Sequence, residues 1–526
     1  MEALDWLVIG VFFLALIGII VWVVRQKQND SADYFLGGRD ATWLAIGASI
    51  FASNIGSEHL IGLAGAGASS GMAMAHWEIQ GWMILILGWV FVPFYTRSMV
   101  YTMPEFLERR YNPQSRTILS VISLVSYVLT KVAVTVYAGG LVFQQVFGIK
   151  ELWGIDFFWI AAIGLVVLTA LYTIFGGMKS VLYTSVLQTP ILLLGSLIII
   201  VLGFKELGGW DEMMRVCGAV TVNDYGDTMT NLIRSNDDAN FPWLGALIGS
   251  AIIGFWYWCT DQFIVQRVLS GKNEMEARRG TIFGAYLKLL PVFLFLIPGM
   301  IAFALHQKYI GAGGEGFLPM LENGTANADA AFPTLVAKLL PAGVKGLVVC
   351  GILAALMSSL ASLFNSSAML FTIDFYKRFR PQTSEKKLVG IGQVATVVIV
   401  ILGILWIPIM RSVGDVLYTY LQDVQSVLAP GIAAAFLLGI CWKRTSAQGG
   451  MWGLISGMVI GLTRLGAKVY YSNAGEVADS TFKYLFYDMN WLFFCGWMFL
   501  FCIIVVIVVS LATEAPCCQT DYNHND

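Results

Sequence analysis

Apolar residues along this chain come in runs of about twenty or more, separated by short polar stretches, the length that crosses a bilayer as a helix. The pattern predicts about thirteen membrane helices, at roughly 4–24, 42–66, 72–98, 117–147, 153–174, 179–203, 241–267, 276–306, 342–376, 387–409, 414–440, 447–470 and 489–512. An all-α integral membrane protein is the fold class this implies.

One of these runs breaks the rule. Residues 47–68, GASIFASNIGSEHLIGLAGAGA, are rich in Gly, Ser and Ala and carry Asn54, Glu58 and His59. Lipid cannot hydrogen-bond a free backbone group, so such a segment is tolerated only inside protein, lining a polar cavity. An interrupted helix there frees carbonyls able to ligate a small cation, the pattern of transporter sites. A close-packed small-residue interface without a ligand is the alternative.

Composition agrees with the pattern: the 526 residues are 57% hydrophobic and 13% charged, with mean hydropathy +0.72. Net charge is −2 and points to no class of partner. No basic leader or small-residue cleavage site precedes residues 4–24, so that run reads as a retained helix. Lys and Arg fall in alternate loops: Arg25, Lys27 and Arg39, then Arg97 to Arg116, Lys179, Arg267 to Arg279, Lys377 to Lys387, and Lys443 with Arg444. The positive-inside rule then places the N-terminus outside and the C-terminus inside. Only Cys217 of the eight cysteines falls in an outer loop, which argues against a disulfide framework. Cys517 and Cys518 read as a solvated pair, and Asn323-Gly324-Thr325 is a lone glycosylation sequon. No phosphate loop, zinc spacing or nucleophile elbow is present, so neither an enzyme nor a nucleotide or nucleic-acid partner is expected.

Ionisable groups inside the membrane each demand a partner or a purpose. Glu78 stands in HWEIQGW, Lys288 in GAYLKLLP, Asp261 and Gln262 follow WYWCT, and Gln422 stands in YLQDVQ. With Tyr257 and Trp258, they suit a neutral polyol: ring faces cover C–H groups while the polar groups exchange hydrogen bonds with hydroxyls. Paired interhelical hydrogen bonds are the alternative for each. In the ninth helix Ala355, Ser358 and Ser359 share one face, and hydroxyls plus a carbonyl are neutral hard donors fitted to a monovalent cation. Opposite them, the broken segment offers carbonyls of Ala52 and Ile55. Lys131, Asp374 and Glu58 read as structural, Asp374 meeting basic loop residues and Lys131 snorkelling or pairing with a group the sequence does not name.

Four segments carry a family resemblance: ASNIGSEHLIGLAGAGASSG at 52–71, FGGMKSVLYTSVLQT at 175–189, WYWCTDQFIVQR at 256–267 and LMSSLASLFNSSAMLFTIDFY at 356–376. They resemble the sodium/solute symporter family, most of all its sodium/glucose cotransporter branch, from DYFLGGR near residue 33 to WKR at 442–444. The resemblance implies a LeuT-type fold of two inverted five-helix repeats, 42–204 and 241–441, with 1–41 and 442–526 peripheral and 205–240 an outer loop. It implies a sugar site at Asn54, His59, Glu78, Tyr257, Trp258, Lys288 and Gln422, with Tyr257 as inner gate. It implies a sodium site at Ala52, Ile55, Ala355, Ser358 and Ser359. The function implied is sodium-coupled hexose import across the plasma membrane; a myo-inositol or other polyol symporter is the near alternative, and a sodium-responsive sensor or channel the distant one.

Departures from the family pattern sharpen this. Ser185 stands where members with a second sodium site carry aspartate, and Ala361 where a hydroxyl is expected, so one sodium per substrate is predicted. Gln425 replaces the Thr or Ser common in sugar transporters, and the lack of a cysteine-rich outer loop points to a bacterial member.

Overall fold

The computed structural model describes residues 1–26, 30–56, 58–321, 324–413, 417–473 and 478–514; the side chains of 129–130, 409–413, 417–423 and 472–473 lie outside that description. Gln422, Asn323, Cys517 and Cys518 therefore lie outside the described side chains.

Helix occupies every run the hydropathy pattern picked out. We number them α1 (Ala3–Val24), α2 (Trp43–Asn54, resuming at Glu58–Leu63 and Ala64–Ser70), α3 (71–98), α4 (113–147), α5 and α6 (the two parts of Phe157–Leu207), α7 (Trp243–Gly254, Phe255–Thr260, then Gln262–Leu269), α8 (Glu274–Gly311), α9 (Val344–Phe379), α10 (Glu385–Val413), α11 (Leu417–Cys441), α12 (Ala447–Asn473) and α13 (Trp491–Ala512). The stretch Phe157–Leu207 would be about 75 Å long as one helix, far more than a bilayer's depth. It is divided at Gly177, whose φ of +51° is open to glycine and costly for other residues.

Burial sorts the helices. In the most apolar window of α9, 89% of residues are buried, against 22% in α1. Helix α9 is the central post, packed on α1, α2, α5–α6 and α10, whereas α1 turns Leu7, Val11 and Leu14 outward toward hydrocarbon. The Asp5 carboxylate of α1 accepts from Gly343 N (2.7 Å) and Gly346 N (2.8 Å), capping the start of α9. The second half of α2 crosses α8 through small residues: a Cβ on Gly67 would lie 2.3 Å from Leu296 O, and one on Gly299 2.0 Å from Ala64 O. Helices α11, α12 and α13 pack on one another, with α13 also against α7.

Loops lock the ends. At one face Arg234 pairs with Asp238 and donates to Ser70 O, drawing the α6–α7 loop onto the end of α2. At the other, Asp374 accepts from Thr102 Oγ1 and Arg116 Nε, both at 2.8 Å, the basic-loop partner its position implied.

Candidate solute and ion site

Three interrupted helices build the site. Helix α2 breaks after Asn54, where Ile55 is extended (φ −78°, ψ 105°), so the last carbonyls of its first half leave the helical ladder. Helix α7 loosens into a π-helical turn at Phe255–Thr260 and breaks at Asp261 (φ −76°, ψ 128°). Helix α8 is interrupted at Lys288, where Pro291 can give no N–H to the Leu287 carbonyl. His59 of α2 also lies in a π-helical turn, Glu58–Leu63. Each such turn re-aims its side chains off the ordinary helical stripe.

A cavity of about 440 Å³ lies between these breaks, and Asn54, His59, Glu78, Tyr257, Trp258 and Lys288 all line it. Lys288 Nζ is 2.6 Å from Glu78 Oε2 and 2.7 Å from His59 Nε2, and sits 5.6 Å over the Trp258 ring. His59 Nε2 also lies 3.3 Å from Glu78 Oε1, so the imidazole touches both members of the charge couple. His59 Nδ1, Asn54 Oδ1 and Gln80 Oε1 are buried without a hydrogen-bond partner among the described residues. Asn54 Nδ2 donates to Tyr257 OH at 2.9 Å. The wall thus presents a paired charge couple, polar atoms with unused hydrogen-bonding capacity, and aromatic faces: a chemistry suited to a hydroxylated, uncharged solute.

Six wall residues were absent from the sequence-predicted set, the apolar Leu63 and Ile253 and four polar or aromatic ones. Trp77 and Gln80 flank Glu78, and a glutamine in an apolar helix was the available signal. Gln425 lines the cavity as well. Glu58, read from the sequence as structural, is a cavity residue, because the π-helical turn carries it inward with His59. Asp261 and Gln262 correct the sequence reading in the other direction. Asp261 Oδ2 is held 2.7 Å from Lys131 Nζ, and Gln262 Oε1 accepts from Met103 N at 2.8 Å, so both serve helix–helix contacts away from the cavity.

Beside the break of α2, Ser359 Oγ donates to Ser53 O (2.7 Å) and approaches Ile55 O at 3.3 Å. A Cβ on Gly56 would lie 2.8 Å from Ser359 Oγ, so the approach depends on glycine. Ser358 Oγ lies 3.4 Å from Ser53 Oγ and 3.2 Å from Ser185 Oγ. Ala52 and Ala355 are buried one turn earlier on the same two helices. Carbonyl and hydroxyl oxygens without a carboxylate fit a monovalent cation such as sodium, and divalent ions poorly.

Comparison with known proteins agrees with this architecture. The sodium:solute symporter family model matches residues 34–457. Human sodium/myo-inositol cotransporter 2 is 37% identical over 98% of this chain and 78% of its own length. Sheep sodium/glucose cotransporter 1 is 38% identical over 98% of this chain and 79% of its own. Among solved structures, a substrate-bound outward-open Na+-coupled sialic acid symporter superposes with a TM-score of 0.78 at 22% identity, covering 98% of both chains. The fold is therefore the LeuT type, and the chain belongs to the sodium:solute symporter family, a multi-pass membrane transporter coupled to sodium.

Proposed function

We propose that this protein imports a hexose across the plasma membrane together with one sodium ion, by alternating access between two inverted repeats, 42–204 and 241–441. The observation that carries the reading is the single cavity uniting Asn54, His59, Glu78, Tyr257, Trp258 and Lys288 beside the oxygen-lined break of α2. Sodium held by the carbonyls of Ala52, Ile55 and Ala355 and the hydroxyls of Ser358 and Ser359 favours the outward-open state, with the N-terminus outside. The solute then stacks on Tyr257 and exchanges hydrogen bonds with Glu78, Lys288, His59 and Asn54. Closure above it and release of Tyr257 below discharge it inward once sodium departs. Linkage makes the coupling reciprocal: whatever affinity sodium adds for the solute, the solute adds for sodium.

Gln425 favours a second reading, myo-inositol or another carbocyclic polyol. It gives the cavity wall an extra donor and acceptor. A pyranose ring oxygen only accepts hydrogen bonds, whereas every position of an inositol both donates and accepts. Proteoliposomes with an imposed sodium gradient decide between them: labelled glucose, galactose and myo-inositol are offered singly, and internal concentration is followed. The first reading expects sodium-dependent accumulation of a hexose above its external level. Accumulation of inositol alone selects the second, and flux that never exceeds equilibrium rejects both.

A further inference from the structure

A second cavity, about 290 Å³, adjoins the solute pocket at Tyr257. Asn54, Glu58 and Tyr257 line both, so the tyrosine stands at the boundary they share. Ser53 and Ser359, which border the ion site, line the second cavity from one side, and Lys131 and Thr135 of α4 line it from the other.

Lys131 is the unexplained group. It is 6% exposed, stands in a π-helical turn of α4 (Tyr127–Val132), and takes no part in the solute pocket. Its ammonium is 2.7 Å from Asp261 Oδ2 and 4.5 Å from the Tyr257 ring centroid, with Phe263 and Tyr127 rings at 4.9 and 5.1 Å. Tyr127 OH donates to the other Asp261 oxygen and accepts from Phe263 N at 3.0 Å. Asp261 is the residue at which α7 breaks, four positions after Tyr257, and its carboxylate caps the helix that follows. One turn of α4 therefore clamps the break of α7, while its ammonium supports the face of the ring that Asn54 holds by its hydroxyl.

We infer that Lys131 is a gate-positioning residue: the Lys131–Asp261 pair latches Tyr257 over the inner exit and makes that latch responsive to the ion. The inference rests on the symport reading above. Sodium between the α2 break and Ser359 faces the cavity whose far wall is the Lys131 ammonium. Like charges repel across that cavity, which Glu58 also lines, and the repulsion favours the ammonium's seat on Asp261 and the Tyr257 face. Occupied, the ion site keeps the exit shut; emptied, it lets the ammonium retreat and the ring swing. Energy enters only through this difference between the two states of the latch.

Removing Lys131 alone strands a buried carboxylate, which destabilises strongly, whereas replacing both partners with apolar residues of similar size is often neutral. The decisive protein is thus Lys131→Met/Asp261→Leu, with Tyr127→Phe as a variant that leaves no charge unpaired and Lys131→Arg as the conservative control. Proteoliposomes preloaded with the labelled solute that the wild type accumulates are diluted without sodium, and efflux is timed; accumulation under a sodium gradient is measured in parallel. The double variant is expected to leak at least about tenfold faster without sodium, equivalent to 1.4 kcal/mol off the gate, and to accumulate little. Tyr127→Phe leaks to a lesser degree and Lys131→Arg remains coupled. Wild-type leak and accumulation in both the double variant and Tyr127→Phe overturn the inference. A wild type that never accumulates solute overturns instead the symport reading on which it rests.

Discussion

Glu78 is 1% exposed, and it keeps its place inside the membrane through two neighbours brought from distant helices, His59 and Lys288. A buried couple of this kind contributes little net stability, because desolvation offsets the attraction. Its value is positional: each group is oriented by the others and still has hydrogen-bonding capacity for a solute. The sequence named all three residues, since a charge in an apolar run declares itself, but not Asp329, which sits in an ordinary polar loop. This half-buried aspartate presses on the second half of α2, where a Cβ on Gly65 would come 2.7 Å from its Oδ1. Burial raises its carboxyl from 3.8 to about 6. The folded state thus holds the proton more tightly than the unfolded chain, so the stability due to this group is full below pH 3.8 and is lost as pH rises through about 6. Asp329→Asn should flatten that part of the pH dependence of thermal unfolding in detergent. An unchanged slope in the variant would place the titration elsewhere.

At the scale of elements, the site consists of places where helices fail. The Gly, Ser and Ala content of residues 47–68 announced the break in α2, and Pro291 marks the one in α8. The π-helical turns at 58–63, 127–132 and 255–260 had no such signal, because one extra residue in a turn is accommodated by what packs around it. They explain why Glu58 turned out to line the cavity and Lys131 to meet Asp261. The candidate ion site is legible where it depends on one helix and hidden where it depends on two. Ser358 and Ser359 share a face by spacing alone, whereas their approach to Ser53 and Ile55 needs the α2–α9 contact. Ser358→Ala/Ser359→Ala removes two oxygen donors from that contact. Each lost partner is worth about 1–3 kcal/mol, so half-maximal activation of uptake should need at least about tenfold more sodium, with folding little affected. Wild-type sodium dependence in this variant would move the ion site elsewhere.

For the whole molecule, charge balance bears on the proposed stoichiometry. Lys288 with Glu78, Lys131 with Asp261 and Arg116 with Asp374 are paired. Arg267, 1% exposed, donates through Nε to Ser53 Oγ at 3.2 Å, and its two terminal nitrogens have no hydrogen-bond partner among the described residues. Ser185 donates to Val181 O at 2.6 Å and brings no carboxylate to the serine cluster. Arg267 thus puts a positive charge beside Ser53, with Glu58 lining the neighbouring cavity, and without a carboxylate at position 185 one sodium per solute is expected. One sodium crossing about 100 mV releases roughly 2.3 kcal/mol, and a tenfold gradient adds about 1.4 kcal/mol. Together these sustain about 500-fold accumulation at one ion per solute and about the square of that at two. The reversal potential against imposed solute gradients should follow the one-ion line; a two-ion slope would mean that Ser185, Ser362 or another group replaces the missing carboxylate.

The sequence by itself determined the membrane class, the thirteen runs, the broken α2 and the polar residues worth watching. All of these follow from the bilayer acting as a solvent with no hydrogen bonds to offer, a constraint each segment answers locally. It did not determine which polar groups satisfy one another. Lys131 and Asp261 are 130 positions apart, and Glu78 and Lys288 lie on helices separated by four others. Whether an intramembrane charge serves solute, ion or scaffold depends on what faces it across the helix–helix contacts. Only the tertiary structure decides that, because a buried charge is answered by whichever opposite group packing brings within reach.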